Sequence, residues 1–156
     1  ENTGAFTSAV TLVGGLKEVL KYFHATGLQN IFQRNWKMAF ATREAAKAMG
    51  FGLLVEDDAH VSAACTSVLV EGSYPGKIRD RYSMTVSGGQ DDLKGKIVRI
   101  GHMGYLDAWD VFNQLMAVCR VAEKDFKQKV NLAAGIEAYW SVIESTKDYT
   151  PADLKS

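Results

Sequence analysis

The sequence predicts a single α/β domain of the layered α+β kind, in which a short, mainly antiparallel sheet is covered by helices. Long segments with apolar residues at helical spacing stand at both ends of the chain, and short β-branched segments separated by turn residues stand between them. Strands this short and this closely spaced are typical of a small antiparallel sheet packed against helices. The length of 156 residues fits one domain, 1–156, and a hydrophobic content of 47% is enough for a core.

Two long helices are expected first along the chain. Thr7 and Ser8 can cap the first, whose apolar residues extend to Phe23 before Gly27 ends it. The second follows at once over 28–49, with apolar and small residues on one face, charged residues on the other, and a glycine directly after it.

The middle of the chain is expected to form the sheet. Its β-branched and apolar segments predict four short strands, at 51–55, 65–70, 84–87 and 96–100. A glycine- and proline-containing turn at 72–76 and a short charged helix at 77–82 separate the second strand from the third.

Two more helices complete the predicted fold. Asp107 is placed to open a long helix that extends to about Phe126, and a last helix is expected over 132–145. The remaining tail, 146–156, is polar and contains a proline, so we expect it to be loose.

Composition narrows the classes of function. Eighteen basic and eighteen acidic side chains balance to a net charge of zero, which argues against a nucleic-acid-binding protein. We expect no membrane span, because no run of about 18 apolar residues occurs. Cys65 and Cys119 lie in apolar stretches and form no disulfide framework, and the polar start at Glu1 lacks the features of a signal peptide, so a cytoplasmic location is expected.

The densest group of unusual residues lies at 85–105, and Arg99 stands out within it. This arginine interrupts an apolar strand between Val98 and Ile100, and burying a charge without a partner is costly. One interpretation is a structural ion pair or an outward-facing strand position. The other is a guanidinium fork held on a rigid strand to bind a carboxylate or phosphate through two hydrogen bonds.

Other polar residues of the chain favour structural roles. His102 can act as a general base, although a single histidine near a strand end is more often a hydrogen-bonded structural residue. The acidic and histidine side chains at 57–60 are too close together in sequence for a well-formed metal site, so we expect a solvated loop and no metal. No arrangement typical of a nucleophilic enzyme stands out.

Several motifs of the chain resemble those of the class V aminotransferases, over about 7–143. They are Ile-Arg-Asp-Arg-Tyr at 78–82, Ser-Gly-Gly-Gln at 87–90, Leu-Lys-Gly-Lys at 93–96 and Arg-Ile-Gly-His-Met-Gly at 99–104. The most similar branch is that of alanine–glyoxylate and serine–pyruvate aminotransferases, together with proteins called soluble hydrogenase small subunits.

This resemblance implies that the chain is the small C-terminal domain of a fold-type-I enzyme that uses pyridoxal 5'-phosphate (PLP). In that family a large N-terminal domain carries the lysine that forms the Schiff base with PLP, and the enzymes are homodimers. By the same resemblance, Arg99 binds the α-carboxylate of the substrate, and Thr7 reaches the cofactor phosphate of the neighbouring subunit. Ser8 stands where the family has proline.

The resemblance further implies a parent enzyme that transfers an amino group from alanine or serine to an oxoacid such as glyoxylate or pyruvate. No catalytic residue is expected within this chain, which by itself is expected to be inactive and not to hold PLP covalently. Two alternatives remain open. One is a noncatalytic interaction module or hydrogenase-associated subunit, and the other is a different PLP reaction, a desulfurase or lyase, on the same fold.

Overall fold

The computed structural model describes residues 9–151 and contains five α-helices and a small sheet within that range. The helices are α1 (Val10–Thr26), α2 (Leu28–Met49), α3 (Tyr74–Tyr82), α4 (Ala108–Asp125) and α5 (Leu132–Glu144). The strands are β1 (Cys65–Leu69), β2 (Ser87–Gly88) and β3 (Ile97–Gly101), and two short 3₁₀ turns lie at Asp58–His60 and Asp91–Leu93. The predicted fold class, a short antiparallel sheet covered by helices, is confirmed.

The sheet has three strands in the order β1-β3-β2, and both pairings are antiparallel. The last strand in sequence is therefore the central one. In the register of the sheet, Arg99 on β3 lies opposite Ser67 on β1 and opposite Ser87 on β2.

The segment predicted as a strand at 51–55 forms only a single antiparallel bridge, between Leu53 and Val68. Beyond it, the carbonyl groups of Val55 and Glu56 accept hydrogen bonds from the guanidinium of Arg43 on α2, at 2.9 and 3.1 Å. These carbonyls are thus engaged by a side chain, which explains why the strand stops. The prediction of four strands was wrong at this place.

The helix predicted at 77–82 begins three residues earlier, at Tyr74. Pro75 occupies its first turn, where a missing N–H is tolerated because no intrahelical acceptor is available there. Tyr74 is buried and stacks on Phe126 with ring centroids 4.7 Å apart, so the start of α3 is tied to the end of α4.

The hydrophobic core lies between one face of the sheet and helices α2, α4 and α5. Val68, Val98 and Ile100 supply the sheet side of this core and are fully buried. The hydroxyl of Tyr139 on α5 donates a hydrogen bond of 2.7 Å to the carbonyl of Ala108, which links α5 to the start of α4. Asp107 caps α4 as predicted, in a reciprocal capping box with Asp110.

Helix α1 differs from the others because none of its residues is buried. Its apolar side chains are half or more exposed at Val10, Leu12, Val13, Leu16 and Leu20. The helix contacts the start of α2 and leaves an apolar surface uncovered in this chain.

The tail predicted to be loose from residue 146 lies in part against α2. The ring of Tyr149 packs on Phe40 at a centroid distance of 5.2 Å, and Thr150 is buried. Residues 152–156 lie outside the described range. Among residues 9–151, no helix is long and apolar enough to cross a membrane.

Candidate functional site

Arg99 lies at the centre of a polar row that crosses all three strands. Side chains alternate between the two faces of a strand, so the neighbours of Arg99, Val98 and Ile100, point into the core and Arg99 points to the opposite face. Directly opposed residues share a face, which places Ser67 and Ser87 on either side of the arginine. Ser87 is exposed, and Ser67 and Arg99 are half-buried.

The guanidinium of Arg99 has one partner in the described part of the chain. Its Nε donates a hydrogen bond of 3.0 Å to the carbonyl oxygen of Gly88. No carboxylate of residues 9–151 forms an ion pair with it, so the structural ion pair considered for this arginine is absent from that range. The two terminal nitrogens, Nη1 and Nη2, have no partner in that range.

The buried arginine of the chain shows the contrasting arrangement. Arg43, whose side chain is 4% exposed, forms an ion pair with Asp58 and donates to two backbone carbonyls. Its donors are used within the domain, where they fix the loop after Leu53. Arg43 therefore has a structural role, whereas the terminal nitrogens of Arg99 have no partner among the described residues.

His102 does not face the same side of the sheet as Arg99. Its ring is fully buried, and although it lies near the backbone of Ala63, neither ring nitrogen has a partner with hydrogen-bond geometry among the described residues. Burial lowers the pKa of His102 from 6.5 to about 4, so the ring is neutral at pH 7. His102 therefore cannot reach a ligand on the Arg99 face to act as its general base. The hydrogen bonds expected of a structural histidine are also absent among the described residues.

The remaining residues singled out in the sequence lie apart from this row. Thr7 is outside the described residues. Asp57 caps its own short turn by accepting a hydrogen bond from the amide of Ala59, and among residues 9–151 no three side chains are grouped to hold a metal. Cys119 is buried against the sulfur of Met49 at 3.2 Å, and burial raises the pKa of its thiol to about 12.

The polar row is open to solvent at Ser87, which is exposed, and Arg99 beside it is half-buried. Two cavities, of about 620 and 600 Å³, lie elsewhere, one between α2, α5 and the tail and the other beside Tyr74 and Phe126. A smaller cavity of about 190 Å³ borders β1 at Cys65 and Ser67. A ligand held by Arg99 alone would remain exposed to water, so a complete site needs a second surface over this face.

The chemistry of the row fits a carboxylate better than a carbonyl cofactor. The row offers a guanidinium fork and two hydroxyls, which hydrogen-bond to anionic oxygens, and it contains no amine that could react with an aldehyde. Sequence reasoning found Arg99 by its position in an apolar strand. It did not find Ser67 and Ser87, because only the pairing register brings them beside the arginine.

Comparison with known proteins gives a consistent set of relatives. No protein-family model matches the chain. The chain is 34% identical to the soluble hydrogenase small subunit of a Synechococcus species, over 93% of the chain and 38% of that protein. It is 31% identical to the serine–glyoxylate aminotransferase of Hyphomicrobium methylovorum, over 97% of the chain and 40% of that protein.

A solved structure of an aminotransferase also matches the chain. Pyridoxamine–pyruvate aminotransferase from Mesorhizobium loti superposes with a TM-score of 0.84 at 27% identity, over 92% of the chain and 38% of the aminotransferase. The chain thus spans about two fifths of the length of the relatives it matches, and the matched part is their C-terminal portion.

Proposed function

Because this chain belongs to the class V aminotransferases, together with the soluble hydrogenase subunits, we propose that it is the C-terminal small domain of a PLP-dependent transaminase. In this proposal the parent enzyme transfers an amino group from a small amino acid, alanine or serine, to an oxoacid such as glyoxylate or pyruvate. The chain contributes the residue that holds the substrate carboxylate. The reacting groups belong to a larger N-terminal domain.

The observation that carries the proposal is the unpaired fork of Arg99. A half-buried guanidinium on the central strand, with Nε fixed and both Nη atoms without a partner in the described range, suits a planar anion with two oxygens. Bound PLP would supply the electron sink for amino transfer. Arg99 would hold the carboxylate of the amino acid in two places, which limits its rotation and presents its α-carbon in one orientation.

Two features support the proposal that another domain or subunit covers the Arg99 face. The relatives are more than twice as long as the matched part, and the Arg99 face and helix α1 both carry uncovered surface. We propose that the N-terminal domain of the parent chain covers the Arg99 face, and that α1 with Thr7 reaches the neighbouring subunit of a homodimer. Covering the face would remove water from the carboxylate contact and strengthen it.

The proposal is tested by Arg99→Lys in the full-length parent. A lysine keeps the charge but cannot donate two parallel hydrogen bonds to a carboxylate. We expect kcat/KM for the amino donor to fall by about 30- to 1,000-fold, corresponding to roughly 2–4 kcal/mol, while PLP stays bound. Kinetics with alanine and serine, and the visible spectrum of the bound cofactor, measure the two effects.

Arg120→Lys is the matched control, because Arg120 pairs with Glu123 on the exposed side of α4. It should leave kcat/KM unchanged. Should Arg99→Lys lower only the melting temperature and keep normal kinetics with all amino donors, the carboxylate role of Arg99 would be refuted.

The noncatalytic alternative draws on the relative named as a hydrogenase subunit. The sequence upstream of this chain in the same gene separates the alternatives. A lysine in the position expected for the PLP linkage supports an enzyme, whereas its absence supports an interaction module. A desulfurase or lyase would keep that lysine. A desulfurase would pass the sulfur atom of cysteine to an acceptor thiol as a persulfide and leave alanine, and a lyase would eliminate a leaving group from its substrate, instead of transferring the amino group to an oxoacid.

A further inference from the structure

Gly89, directly after β2, packs against backbone in a way that no other residue type allows. A Cβ atom built on Gly89 would lie 2.0 Å from the carbonyl oxygen of Leu93 and 2.5 Å from its carbonyl carbon. Both distances are far below van der Waals contact, and a backbone atom cannot turn away as a flexible side chain can. Gly89 is therefore required for the close approach of the two chain segments.

The opposing carbonyl of Leu93 is itself held in place. It accepts a hydrogen bond of 3.0 Å from the amide of Lys96. The same turn is closed by a 2.9 Å bond from the amide of Leu93 to the carbonyl of Gln90, and by a 3.1 Å bond from Lys94 to Asp91. The turn at 90–96 thus presents a fixed surface to Gly89.

The position of Gly89 determines the position of the Gly88 carbonyl, because the two belong to one planar peptide unit. This carbonyl oxygen is the one that accepts the Nε hydrogen of Arg99 at 3.0 Å. A continuous chain of contacts therefore connects the turn to the guanidinium: Leu93 contacts Gly89, Gly89 fixes the Gly88 carbonyl, and that carbonyl fixes Arg99.

The consequence for ligand binding follows from the geometry of the guanidinium group. Its five N–H donors lie in one plane, so a bond at Nε restricts the directions in which the two terminal nitrogens can point. Because Nε already donates to the Gly88 carbonyl, a carboxylate cannot bind through Nε together with one Nη atom. It can bind through Nη1 and Nη2 at the end of the group.

We infer that Gly89 is a positioning residue for substrate, which aims the terminal Nη1/Nη2 edge of Arg99 at the carboxylate through the carbonyl of Gly88. The inference rests on the proposed role of Arg99 and adds to it the direction from which the acid is bound. Gly89 itself touches no substrate.

The test is Gly89→Ala in the full-length parent, with Gly76→Ala as the matched control. Gly76 lies in α3, and an added Cβ there makes only an ordinary contact, 3.9 Å, with the hydroxyl oxygen of Ser73. We expect Gly89→Ala to raise KM for the amino donor, and Ki for an unreactive carboxylic acid inhibitor such as propionate, by about 10- to 100-fold. The spectrum of the bound cofactor should be unchanged, and Gly76→Ala should behave as wild type.

The outcomes separate this inference from the proposed function. Normal KM and Ki values in Gly89→Ala, alongside a large loss in Arg99→Lys, overturn the positioning role and leave the carboxylate clamp standing. Normal values in both variants overturn the clamp. A loss in Gly89→Ala that affects thermal stability but not the inhibitor constant shows a structural role only and also overturns the inference.

A second measurement needs no variant and remains decisive if Gly89→Ala does not fold. In the parent labelled with ¹⁵N-arginine, the Nε–H proton of Arg99 is assigned by its loss in Arg99→Lys. It is expected to exchange with water about tenfold more slowly than that of the exposed Arg120, because Arg99 donates through Nε whereas Arg120 pairs with Glu123 through Nη1. Equal exchange rates would show that Gly88 does not hold the guanidinium.

Discussion

At the scale of single residues, hydrogen-bond partners separate the structural arginine from the candidate functional one. Arg43 is more deeply buried, but Asp58 and two backbone carbonyls satisfy its donors. Arg99 keeps two terminal nitrogens without a partner in the described range. Burial alone would select Arg43, whereas the number of donors without a partner selects Arg99 as the candidate functional residue.

His102 leads to a prediction about the pH dependence of stability. In the folded protein its pKa is about 4, whereas the ordinary value is 6.5. Between these values the unfolded chain binds a proton that the folded protein does not, so the free energy of unfolding decreases as the pH falls from 6.5 to 4. The loss should reach roughly 3 kcal/mol near the lower end of this window. Denaturant unfolding at pH 7.5, 6, 5 and 4 measures it.

Replacing the ring removes this titration. His102→Leu should flatten the dependence of stability on pH above 4, because leucine does not titrate. It should also avoid the cost of burying two ring nitrogens without hydrogen-bond partners. His60→Gln is the control, because His60 is exposed and pairs only with Asp57 in a surface turn. An unchanged slope in His102→Leu would exclude the buried histidine as its source.

At the scale of elements, helix α1 stands out because none of its residues is buried by the rest of the described chain. Its apolar face is exposed along its length, and such surfaces are commonly covered by another chain or domain. We predict that α1 lies in a subunit interface of the parent. Light scattering should give a dimer, and Leu16→Glu combined with Leu20→Glu should shift it toward monomer. The exposed Glu18→Gln change should not, and a fully active, strictly monomeric parent would contradict the prediction.

The packing of α5 on α2 gives another prediction at this scale. Gly135 meets the side chain of Met49 so closely that an added Cβ would lie 2.2 Å from its Cγ and Cε atoms. We expect Gly135→Ala to lower stability by about 1–3 kcal/mol through overpacking. Gly14→Ala in α1 has open space and should be neutral or stabilising, as helix propensity predicts. Equal thermal shifts for the two variants would show that Met49 adapts without cost.

The helices were better predicted from sequence than the strands, for a physical reason. Helical hydrogen bonds are local, so the spacing of apolar residues and a capping residue such as Asp107 mark a helix within one segment. A strand depends on distant partners. The segment at 51–55 has strand-forming residues, but Arg43 engages the carbonyls that follow Leu53. For the same reason, Arg99 could be identified as a candidate site residue from the sequence of its own strand. Ser67 and Ser87 could be identified only from the pairing register, which brings them beside Arg99.

At the scale of the whole molecule, the chain is expected to be incomplete as a cofactor site. The resemblance places the lysine for PLP outside this sequence, and the Arg99 row contains no amine. We predict that the isolated 156-residue chain does not retain PLP covalently. Mixing with PLP, reduction with borohydride, gel filtration and peptide mapping test this. A single specifically modified lysine would contradict it.

The strand order also has a consequence for partly folded molecules. β3 is the last strand to be synthesised, yet it lies between the other two. The row around Arg99 therefore forms from three separate stretches of chain. On the proposed role of Arg99, binding of the acid would depend on the whole sheet: without β2 the guanidinium loses the Gly88 carbonyl, and without β1 it loses the neighbouring hydroxyl of Ser67. A partly unfolded molecule would then bind the acid more weakly.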